Sequence, residues 1–348
     1  MNKEYKLFFM GFGNVGQALA RLLLQKRAEL EDNFGITWRA VAISTGSHGA
    51  ALDPEGIDME DALLCLKEGK SLIELSTMPA PDYPLDFIRQ SGADVLFENT
   101  PVDYETGQPA IDHLRVALES GMHAITANKG PVVHAFAPLR TLAQKVSRSF
   151  FFESAVMDGA PVFGLWRETL PGTNLLSFRG VLNSTTNLIL SLMEQGRTFD
   201  EAVRYAQSIG IAETDPSGDV DGWDAAVKVA ALVTVLMGFP LKPDQVEREG
   251  IGAITRDDVA QAEGQGQRWK LLCQAKRTED GVQANVHPEL VDAGDPLYSV
   301  MGTSSAITFE SDTLGLLTLR ENDPGPHTTA YGLLADFLNA VRDPQKQR

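Results

Sequence analysis

The stretch KLFFMGFGNVGQALARLLLQKRAEL, residues 6 to 30, decides the fold of the first part of the chain. Its first five residues are a short apolar run typical of a buried strand, and its apolar residues from Ala18 onward recur at helical spacing. The turn GFGNVG between them predicts a tight turn at Gly11, close backbone approach to a pyrophosphate at Gly13 and close helix packing at Gly16. A purely structural glycine turn is the alternative. The order of strand, turn and helix favours dinucleotide binding, with Asn14 and Val15 in the same contact segment.

Three more strands are predicted downstream of this turn. They are WRAVAIS at 38–44, ADVLFENT ending at Thr100, and HAITA ending at Ala127. Alternation of strand and helix signals over about the first 130 residues predicts an α/β fold with a Rossmann-type, doubly wound parallel sheet. Ligands of such sheets bind at the carboxyl ends of the strands, where the three strand ends and GFGNVG fall.

After residue 150 the pattern changes to that of a mixed α+β domain. FFFESAVM and LLSFRGVLN predict strands, and TTNLILSLMEQG and WDAAVKVAALVTVLMG predict helices. We therefore expect a dinucleotide-binding domain at 1–150 and a substrate-binding, catalytic and dimerisation domain at 151–325. A final helix within 326–348 is expected to pack back on the first domain, with Asp343 to Arg348 as a polar end.

Composition excludes several classes of protein. The chain has 348 residues and a formal net charge of −17, with no Lys/Arg block, so we expect no nucleic-acid partner. Its longest apolar stretches are about 12 residues, short of the roughly 20 that span a bilayer, so no membrane partner is expected. A signal-peptide pattern is absent, which favours a cytoplasmic protein. Only Cys65 and Cys273 are present, far apart, so neither a disulfide framework nor a zinc site is indicated.

The end of the second strand bears on the choice of cofactor. NAD-specific sites carry an acid there, but the sequence is AISTGSHG, with Ser44 at the strand end. Ser44, Thr45, Ser47 and His48 carry side chains that can bond a 2′-phosphate. The sequence slightly favours NADP over NAD, and only slightly, since no arginine stands at that strand end.

A second informative stretch is GIAETDPSGDVDGWDAAVK, residues 210 to 228, which holds five carboxylates and one lysine. A calcium loop is excluded because Lys228 occupies the position of the bidentate glutamate. For DPSGD a solvated, mostly structural turn is favoured. Asp224 and Lys228 differ, because they share one face of a helix that is apolar almost all round. They are either an internal ion pair or a site in which carboxylates bind an ammonium group and the lysine transfers a proton.

With these motifs the chain resembles the homoserine dehydrogenase family over most of its length. The residues that carry the resemblance are GFGNVG at 11–16, NTP at 99–101, ALESGMHAITANKGP ending at Pro131, ESAVMDGAP at 153–161, GVLNSTTNLIL at 180–190, AETDPSGDVDGWDAAVK at 212–228, REGI at 248–251 and WKLL at 269–272. The family interconverts homoserine and aspartate 4-semialdehyde with NAD or NADP.

The resemblance implies roles for particular residues. Glu213 and Asp224 would hold the polar groups of the substrate, including its ammonium. Lys228 would be the general acid, and Lys129 would stand at the junction of nicotinamide and substrate. Thr100 and Pro101 would line the nicotinamide. Two lysines can divide the electrostatic and acid roles, and the sequence does not say how.

The resemblance also implies a sodium ion held mostly by backbone oxygens of Glu153, Val156, Asp158 and Ala160. Gly325, in NDPGPHTTA, stands for a glycine-rich cofactor segment of the family, and the family's dimers predict a homodimer. GTSSAI at 302–307 lacks an asparagine usual in the family. An NAD(P)-dependent dehydrogenase of another small amino or hydroxy acid is therefore an alternative, and a non-catalytic nucleotide sensor is a second. The chain ends at Arg348 without the regulatory domain of many bacterial members, so feedback by threonine through it is not expected.

Overall fold

The computed structural model describes residues 2–342. The polar end predicted at 343–348 lies outside the described residues. The chain forms two compact units, of which the first runs to Gly159 and resumes at Gly325, while the second spans Ala160–Pro324. Each unit contains one six-stranded sheet.

The first unit is built on a sheet with the strand order β3-β2-β1-β4-β5-β6. Its strands are β1 Lys3–Met10, β2 Ile36–Ser44, β3 Ala50–Ile57, β4 Val95–Glu98, β5 His123–Thr126 and β6 Phe150–Phe151. Its helices up to residue 159 are α1 Asn14–Gln25, α2 Arg27–Phe34, α3 Met59–Lys67, α4 Pro84–Gln90, α5 Ala110–Glu119 and α6 Lys129–Lys145. The neighbours β2, β1, β4, β5 and β6 are parallel.

This sheet confirms the predicted α/β class, adds one strand that the sequence pattern did not show, and takes in another that was assigned to the second domain. The edge strand β3 runs antiparallel to β2 and contains Pro54 and Gly56, residues that predict a loop rather than a strand. An edge strand tolerates proline because one side of it needs no backbone donor. The Phe150 segment, predicted as a strand of the second domain, supplies β6 of the first sheet instead, and Glu153–Ala155 is a single 3-10 turn.

The second unit is built on a mostly antiparallel sheet with the order β12-β11-β7-β9-β10-β8. Its strands are β7 Leu175–Val181, β8 Glu247–Arg248, β9 Gln267–Thr278, β10 Gly281–Asp292, β11 Ser305–Ser311 and β12 Gly315–Glu321. Its helices are α7 Val162–Gly164, α8 Ser184–Glu194, α9 Phe199–Ser208, α10 Ser217–Val220, α11 Trp223–Leu232 and α12 Arg256–Gly264. The strands β8 and β10 are parallel, and the other paired strands are antiparallel.

The last helix, α13 (Pro326–Val341), belongs to the first unit. Its Leu333 and Phe337 are fully buried in the same core as Leu7 and Phe9 of β1. The Phe337 ring meets the ring of Tyr5 edge-on at a centroid distance of 5.8 Å. The chain therefore closes the first unit with a helix that follows the whole second unit in sequence. Within the described residues, none of the helices combines the length and apolarity required to cross a bilayer.

Candidate active site

The glycine turn after β1 has the geometry that its sequence predicts. Gly11 has φ +88°, and a Cβ there would lie 2.5 Å from the carbonyl oxygen of Asn99. A Cβ on Gly16 would lie 2.7 Å from the Gly11 carbonyl oxygen, whereas a Cβ on Gly13 would meet no atom within 4 Å. Gly11 and Gly16 are thus required by the protein's own packing, and Gly13 leaves open space.

The N-terminus of α1 is suited to an anion. Gly13 is its N-cap and supplies no side-chain cap, and the first turn, which includes Asn14 and Val15, carries no acidic residue. The amide dipoles of a helix start favour negative charge, and an uncapped start leaves its N–H groups to a ligand. These residues fit the pyrophosphate of a dinucleotide.

The segment after β2 carries no acid. Thr45 Oγ1 donates to the Gly49 carbonyl at 2.9 Å and accepts from the His48 amide at 2.8 Å, so it is already committed to the loop. Ser47 Oγ and His48 Nδ1 lie 2.8 Å apart. Thr45, Ser47 and His48 are therefore all engaged within the loop, and the role of Ser44, Thr45, Ser47 and His48 at a 2′-phosphate stays a prediction.

A buried side-chain amide without a hydrogen-bond partner in the described residues follows the carboxyl end of the central strand β4. Both polar atoms of the Asn99 side chain are inaccessible to water and lack a hydrogen-bond partner within residues 2–342. Buried amides are almost always bonded, so a site of this kind calls for a ligand. Thr100 and Pro101, predicted to line the nicotinamide, follow directly in the sequence. The cofactor-binding role of Thr100 and Pro101 stays a prediction.

Lys129 stands at the first position of α6. The helix is capped by Asn128, whose side chain accepts from the Gly130 amide at 2.9 Å. A Cβ on Gly130 would lie 2.8 Å from the Cα of Gly107, which itself has φ +70°. The glycine of the ANKGP motif thus lets a neighbouring loop pack against the helix start that presents Lys129.

Gly325 is the N-cap of α13 and lies in extended backbone. Its backbone N–H donates to Thr328 Oγ1 at 2.9 Å. The next two residues, Pro326 and His327, line an open cavity of about 530 Å³ together with Asn14 and Gln17 of α1. The structure thus places the Gly325 segment beside the helix of the glycine turn, within the same unit.

In the second unit, one hydrogen-bonded cluster gathers three of the charged residues of the 210–228 stretch. On α11, Asp224 Oδ2 lies 3.1 Å from Lys228 Nζ. Lys228 Nζ also donates to the Leu182 carbonyl at 2.5 Å. Asn183 Nδ2 donates to Asp224 Oδ2 at 3.0 Å and to Asp219 Oδ1 at 2.6 Å. We call Asn183, Asp219, Asp224 and Lys228 the acid–lysine cluster.

Asp219 and Asn183 were not predicted as site residues from the sequence. DPSGD looked like a solvated turn, yet Asp219 lies on the short helix α10 with its carboxylate half-buried against Asn183. Burial raises the pKa of the Asp219 carboxyl above its ordinary value, and the nearby Asp224 carboxylate raises it further. The only sequence signal was the asparagine before α8, an N-cap residue whose amide group has donors to spare.

Glu213, the other predicted substrate ligand, lies in the chain between α9 and α10. Its side chain is exposed, on the loop that precedes α10. Its backbone carbonyl accepts from Gln207 Nε2 at 3.2 Å. The predicted role of Glu213 in substrate binding stays a prediction.

The predicted sodium ligands divide between the two units. In the first, Glu153 is buried, and Asp158 has φ +41° and accepts from the Thr329 hydroxyl at 2.6 Å. Val156, which lies between them in sequence, is also buried, and Ala160 is the first residue of the second unit. Among residues 2–342 no three His, Cys, Asp or Glu side chains group as metal ligands do. A site made of backbone carbonyls is not covered by that criterion, so the sodium site stays a prediction.

Comparison with known proteins identifies the family. The family model of the homoserine dehydrogenase NAD binding domain matches residues 11–153, and that of homoserine dehydrogenase matches residues 161–338. The chain belongs to the homoserine dehydrogenase family. This membership makes it an NAD(P)-dependent oxidoreductase.

Two relatives match this chain over nearly their whole length. The NAD(+)-dependent homoserine dehydrogenase of Pseudomonas canavaninivorans is 35% identical over 97% of this chain and 96% of its own. The homoserine dehydrogenase of Methanocaldococcus jannaschii is 35% identical over 98% and 99%.

Solved structures of homoserine dehydrogenases agree with the fold. The enzyme of Thiobacillus denitrificans has a TM-score of 0.82 at 30% identity, covering 98% of this chain and 74% of that one. A hyperthermophilic archaeal homoserine dehydrogenase in complex with NADPH has a TM-score of 0.82 at 28% identity, covering 97% and 98%. The relatives' names thus include both NAD(+) and NADPH, which leaves the cofactor preference of this chain open.

Proposed function

We propose that this chain interconverts L-homoserine and L-aspartate 4-semialdehyde, with Lys228 as the general acid of the reduction. The observation that carries the proposal is the acid–lysine cluster. The Lys228 ammonium has three N–H donors, and Asp224 and the Leu182 carbonyl account for two of them. The third N–H is the proton for the aldehyde oxygen.

Asp224 and Asp219 would bind the substrate. Both carboxylates accept a hydrogen bond from the same side-chain nitrogen, Asn183 Nδ2, so they are close neighbours. Two neighbouring carboxylates, one on α10 and one on α11, are suited to an ammonium, which donates three charge-assisted hydrogen bonds. The predicted ligand Glu213, whose side chain is exposed in this structure, would add a third carboxylate. Binding of the amino group would place the C4 aldehyde at Lys228.

The proton and charge balance of the reaction follows from these roles. The nicotinamide, when bound, supplies the hydride that reaches C4. Negative charge then develops on the aldehyde oxygen, and the Lys228 ammonium stabilises and protonates it. Lys129, at the start of α6, would add positive charge on the cofactor side. In the oxidation of homoserine, Lys228 takes the proton back.

NADP is the cofactor we favour slightly over NAD. The absence of an acid after β2 supports it, together with the Ser44, Ser47 and His48 side chains at that strand end. The glycine turn, the uncapped start of α1, the orphaned Asn99 amide and the Gly325 segment fit a dinucleotide of either kind. The sodium ion at Glu153, Val156, Asp158 and Ala160 remains part of the proposal.

A cofactor assay tests the function directly. Purified protein should consume NADPH or NADH with aspartate semialdehyde, and should reduce NADP+ or NAD+ with homoserine at alkaline pH. Activity with a different hydroxy or amino acid and none with homoserine would support the alternative dehydrogenase. Cofactor binding without turnover of any such substrate would support the nucleotide sensor.

Lys228→Ala tests the acid. We expect a loss of kcat on the order of 10² to 10⁴-fold, the usual contribution of general acid catalysis, with the affinity for NADPH unchanged. Lys145→Ala, which removes an exposed lysine from the last turn of α6, is the matched control and should retain full rate. A Lys228→Ala enzyme of near-normal rate would refute the assignment.

We also propose that the protein is a cytoplasmic homodimer that supplies homoserine for threonine and methionine biosynthesis. Exposed apolar side chains on the sheet of the second unit support the dimer. Leu316 is 73% and Leu314 is 55% exposed at the β11–β12 hairpin, and Leu290 on β10 is 40% exposed. Large exposed apolar groups commonly mark an interface. Light scattering after size-exclusion chromatography measures the mass directly.

A further inference from the structure

Glu98 is a fully buried carboxylate with no assigned role. It is the last residue of β4, a central strand, where it stands opposite Met10 of β1 and Thr126 of β5. Its side chain is 0% exposed. A carboxylate without access to water is costly unless several donors satisfy it. Its hydrogen-bond partners therefore have to account for its position.

Two threonines satisfy the carboxylate. Glu98 Oε1 accepts from the backbone N–H of Thr100 at 3.1 Å and from the Thr100 hydroxyl. The Thr126 hydroxyl shares its hydrogen between Glu98 Oε2 at 3.0 Å and the Glu98 backbone carbonyl at 2.9 Å. The buried imidazole of His113 stands 3.7 Å from Oε1, beyond hydrogen-bond distance. The hydrogen bonds to the carboxylate therefore come from Thr100 and Thr126, at the two strand ends.

These bonds are part of a closed ring. Thr126 Oγ1 accepts from the backbone N–H of Asn128 at 2.9 Å. Asn128 Nδ2 in turn donates to the carbonyl of Thr100 at 3.2 Å. The sequence of bonds runs from Glu98 to Thr100, Asn128, Thr126 and back to Glu98. We call these four residues the β4–β5 ring.

The ring contains Thr100 and adjoins Lys129, two residues of the proposed reaction. Thr100 is predicted to line the nicotinamide, and both its backbone N–H and its hydroxyl are fixed by Glu98. Asn128 caps α6, so the ring also fixes the helix start whose first residue is Lys129. One buried side chain thus governs two loops that lie about 30 residues apart in sequence.

We infer that Glu98 is a positioning residue that holds Thr100 and Lys129 in the geometry needed for hydride transfer. This inference rests on the proposed function for the roles of those two residues. Misplacement of reacting groups by about 1 Å costs on the order of 10²-fold in rate. Opening the ring should therefore lower kcat strongly, while the acid–lysine cluster in the second unit keeps its affinity for substrate.

Two substitutions separate position from charge. In Glu98→Gln the amide oxygen can accept from Thr100, and the amide nitrogen can donate to Thr126 Oγ1, whose hydrogen then bonds the residue 98 carbonyl, 2.9 Å away. The ring stays closed without the charge. Glu98→Ala opens it. Thr126→Val keeps a similar side-chain volume but removes the hydroxyl that bonds Glu98 and Asn128, so it also opens the ring. This variant replaces Glu98→Ala in the test if the alanine variant does not fold.

Hydrogen exchange and kinetics together test the inference. For Glu98→Ala or Thr126→Val we expect exchange at the Asn128 and Gly130 amides to rise at least about tenfold, which corresponds to a loss of roughly 1.4 kcal/mol of local stability. We expect kcat to fall about 10²-fold with the KM for homoserine within about threefold. Glu98→Gln should stay within about fivefold of wild type in both. Phe87→Leu is the control for general stability, because the Phe87 ring packs on Phe8 in the core. We expect it to lower the melting temperature as Glu98→Ala does and to leave kcat unchanged.

The outcomes are distinct. Unchanged exchange at Asn128 and Gly130 in Glu98→Ala would overturn the ring, and a Glu98→Gln enzyme as slow as Glu98→Ala would show that charge rather than position matters. A fall in kcat for Phe87→Leu equal to that for Glu98→Ala would reduce the effect to general stability. Wild-type protein without turnover of homoserine would refute the proposed function, and the exchange measurement would still decide whether the ring exists.

Discussion

Asn183→Asp is the sharpest test of the acid–lysine cluster, because it replaces one amide nitrogen by oxygen and preserves the helix cap. Asn183 is 4% exposed, and its Oδ1 accepts from the Thr186 amide at 2.8 Å as N-cap of α8. Asp and Asn are equally good N-caps, so that bond survives. The amide donor to Asp219 and Asp224 is lost, and a third carboxylate takes its place.

The magnitude follows from the pKa of a carboxyl group. Each hydrogen bond to a charged group contributes about 1.5 to 3 kcal/mol, so losing two would cost roughly 3 to 6 kcal/mol without relief. Relief is available, because the new carboxyl group at position 183, once protonated, can donate to Asp219 as the amide did. Taking up that proton from an unfolded-state pKa near 3.9 costs about 4 kcal/mol at pH 7 and about 1.5 kcal/mol at pH 5. A protonated carboxyl has one O–H, so it replaces only one of the two lost bonds. We therefore expect a loss in unfolding free energy of about 3 to 6 kcal/mol at pH 7 and of about 3 to 4.5 kcal/mol at pH 5.

The sign of the pH dependence is fixed by the direction of the shift. A carboxyl whose pKa is raised in the folded state contributes stability that is complete at low pH and is lost as the pH rises through the folded pKa. The pKa of Asp219 is already raised in the wild type. In the variant, the unfolding free energy should fall more steeply as the pH rises.

Urea unfolding at pH 5 and pH 7, followed by tryptophan fluorescence, measures the effect. The control is Asn322→Asp, the same chemical change at an exposed position of the same unit. If the unfolding free energy falls equally from pH 5 to pH 7 in Asn183→Asp and in Asn322→Asp, the contact of Asn183 with Asp219 and Asp224 does not exist as described. Activity provides a second reading, since kcat/KM of Asn183→Asp should recover partly as the pH is lowered.

Three further predictions concern other sites. Ser44→Asp should weaken NADPH binding at least about tenfold, roughly 1.4 kcal/mol, and NADH binding much less, because the new charge repels only a 2′-phosphate; equal loss for both cofactors in KM measurements would contradict the placement. Burial raises the pKa of the Cys273 thiol to about 12, so a thiol reagent should label only Cys65 in native protein, and two fast equivalents would argue against the fold around β9. Burial lowers the pKa of the fully buried Lys270 to about 8, whereas in the unfolded chain it is about 10.4, so its contribution to stability should rise by roughly 1 to 2 kcal/mol between pH 8 and 9.5. That rise should be absent in Lys270→Met, and parallel pH profiles of the two proteins would disprove it.

The first unit shows how far local pattern extends. The strand, glycine turn and helix of residues 6 to 30 are a contiguous signal, because Gly11 must adopt positive φ and Gly16 must approach its own turn closely. The edge strand β3 gave no such signal, since Pro54 and Gly56 interrupt its pattern and pairing with β2 overrides that local preference.

The second unit shows the same limit at the site. Asp224 and Lys228 were predicted to share a face of one helix, and spacing alone is enough for that inference. Asp219 and Asn183 join them from two other elements. No spacing rule connects residue 183 with residue 224, so the cluster could not be assembled without the tertiary structure.

The sequence by itself determined the fold class, the glycine turn, the family resemblance and the lysines to test, because these depend on residues near one another in the chain. The tertiary structure decided which groups are buried together. It showed that the half-buried Asp219 carboxylate shares the Asn183 amide with the buried Asp224 rather than lying in a solvated turn, and that Glu98 holds two distant loops in one ring. The physical reason is that the desolvation and hydrogen bonding of a charge depend on every element packed around it, and those elements are far apart in sequence.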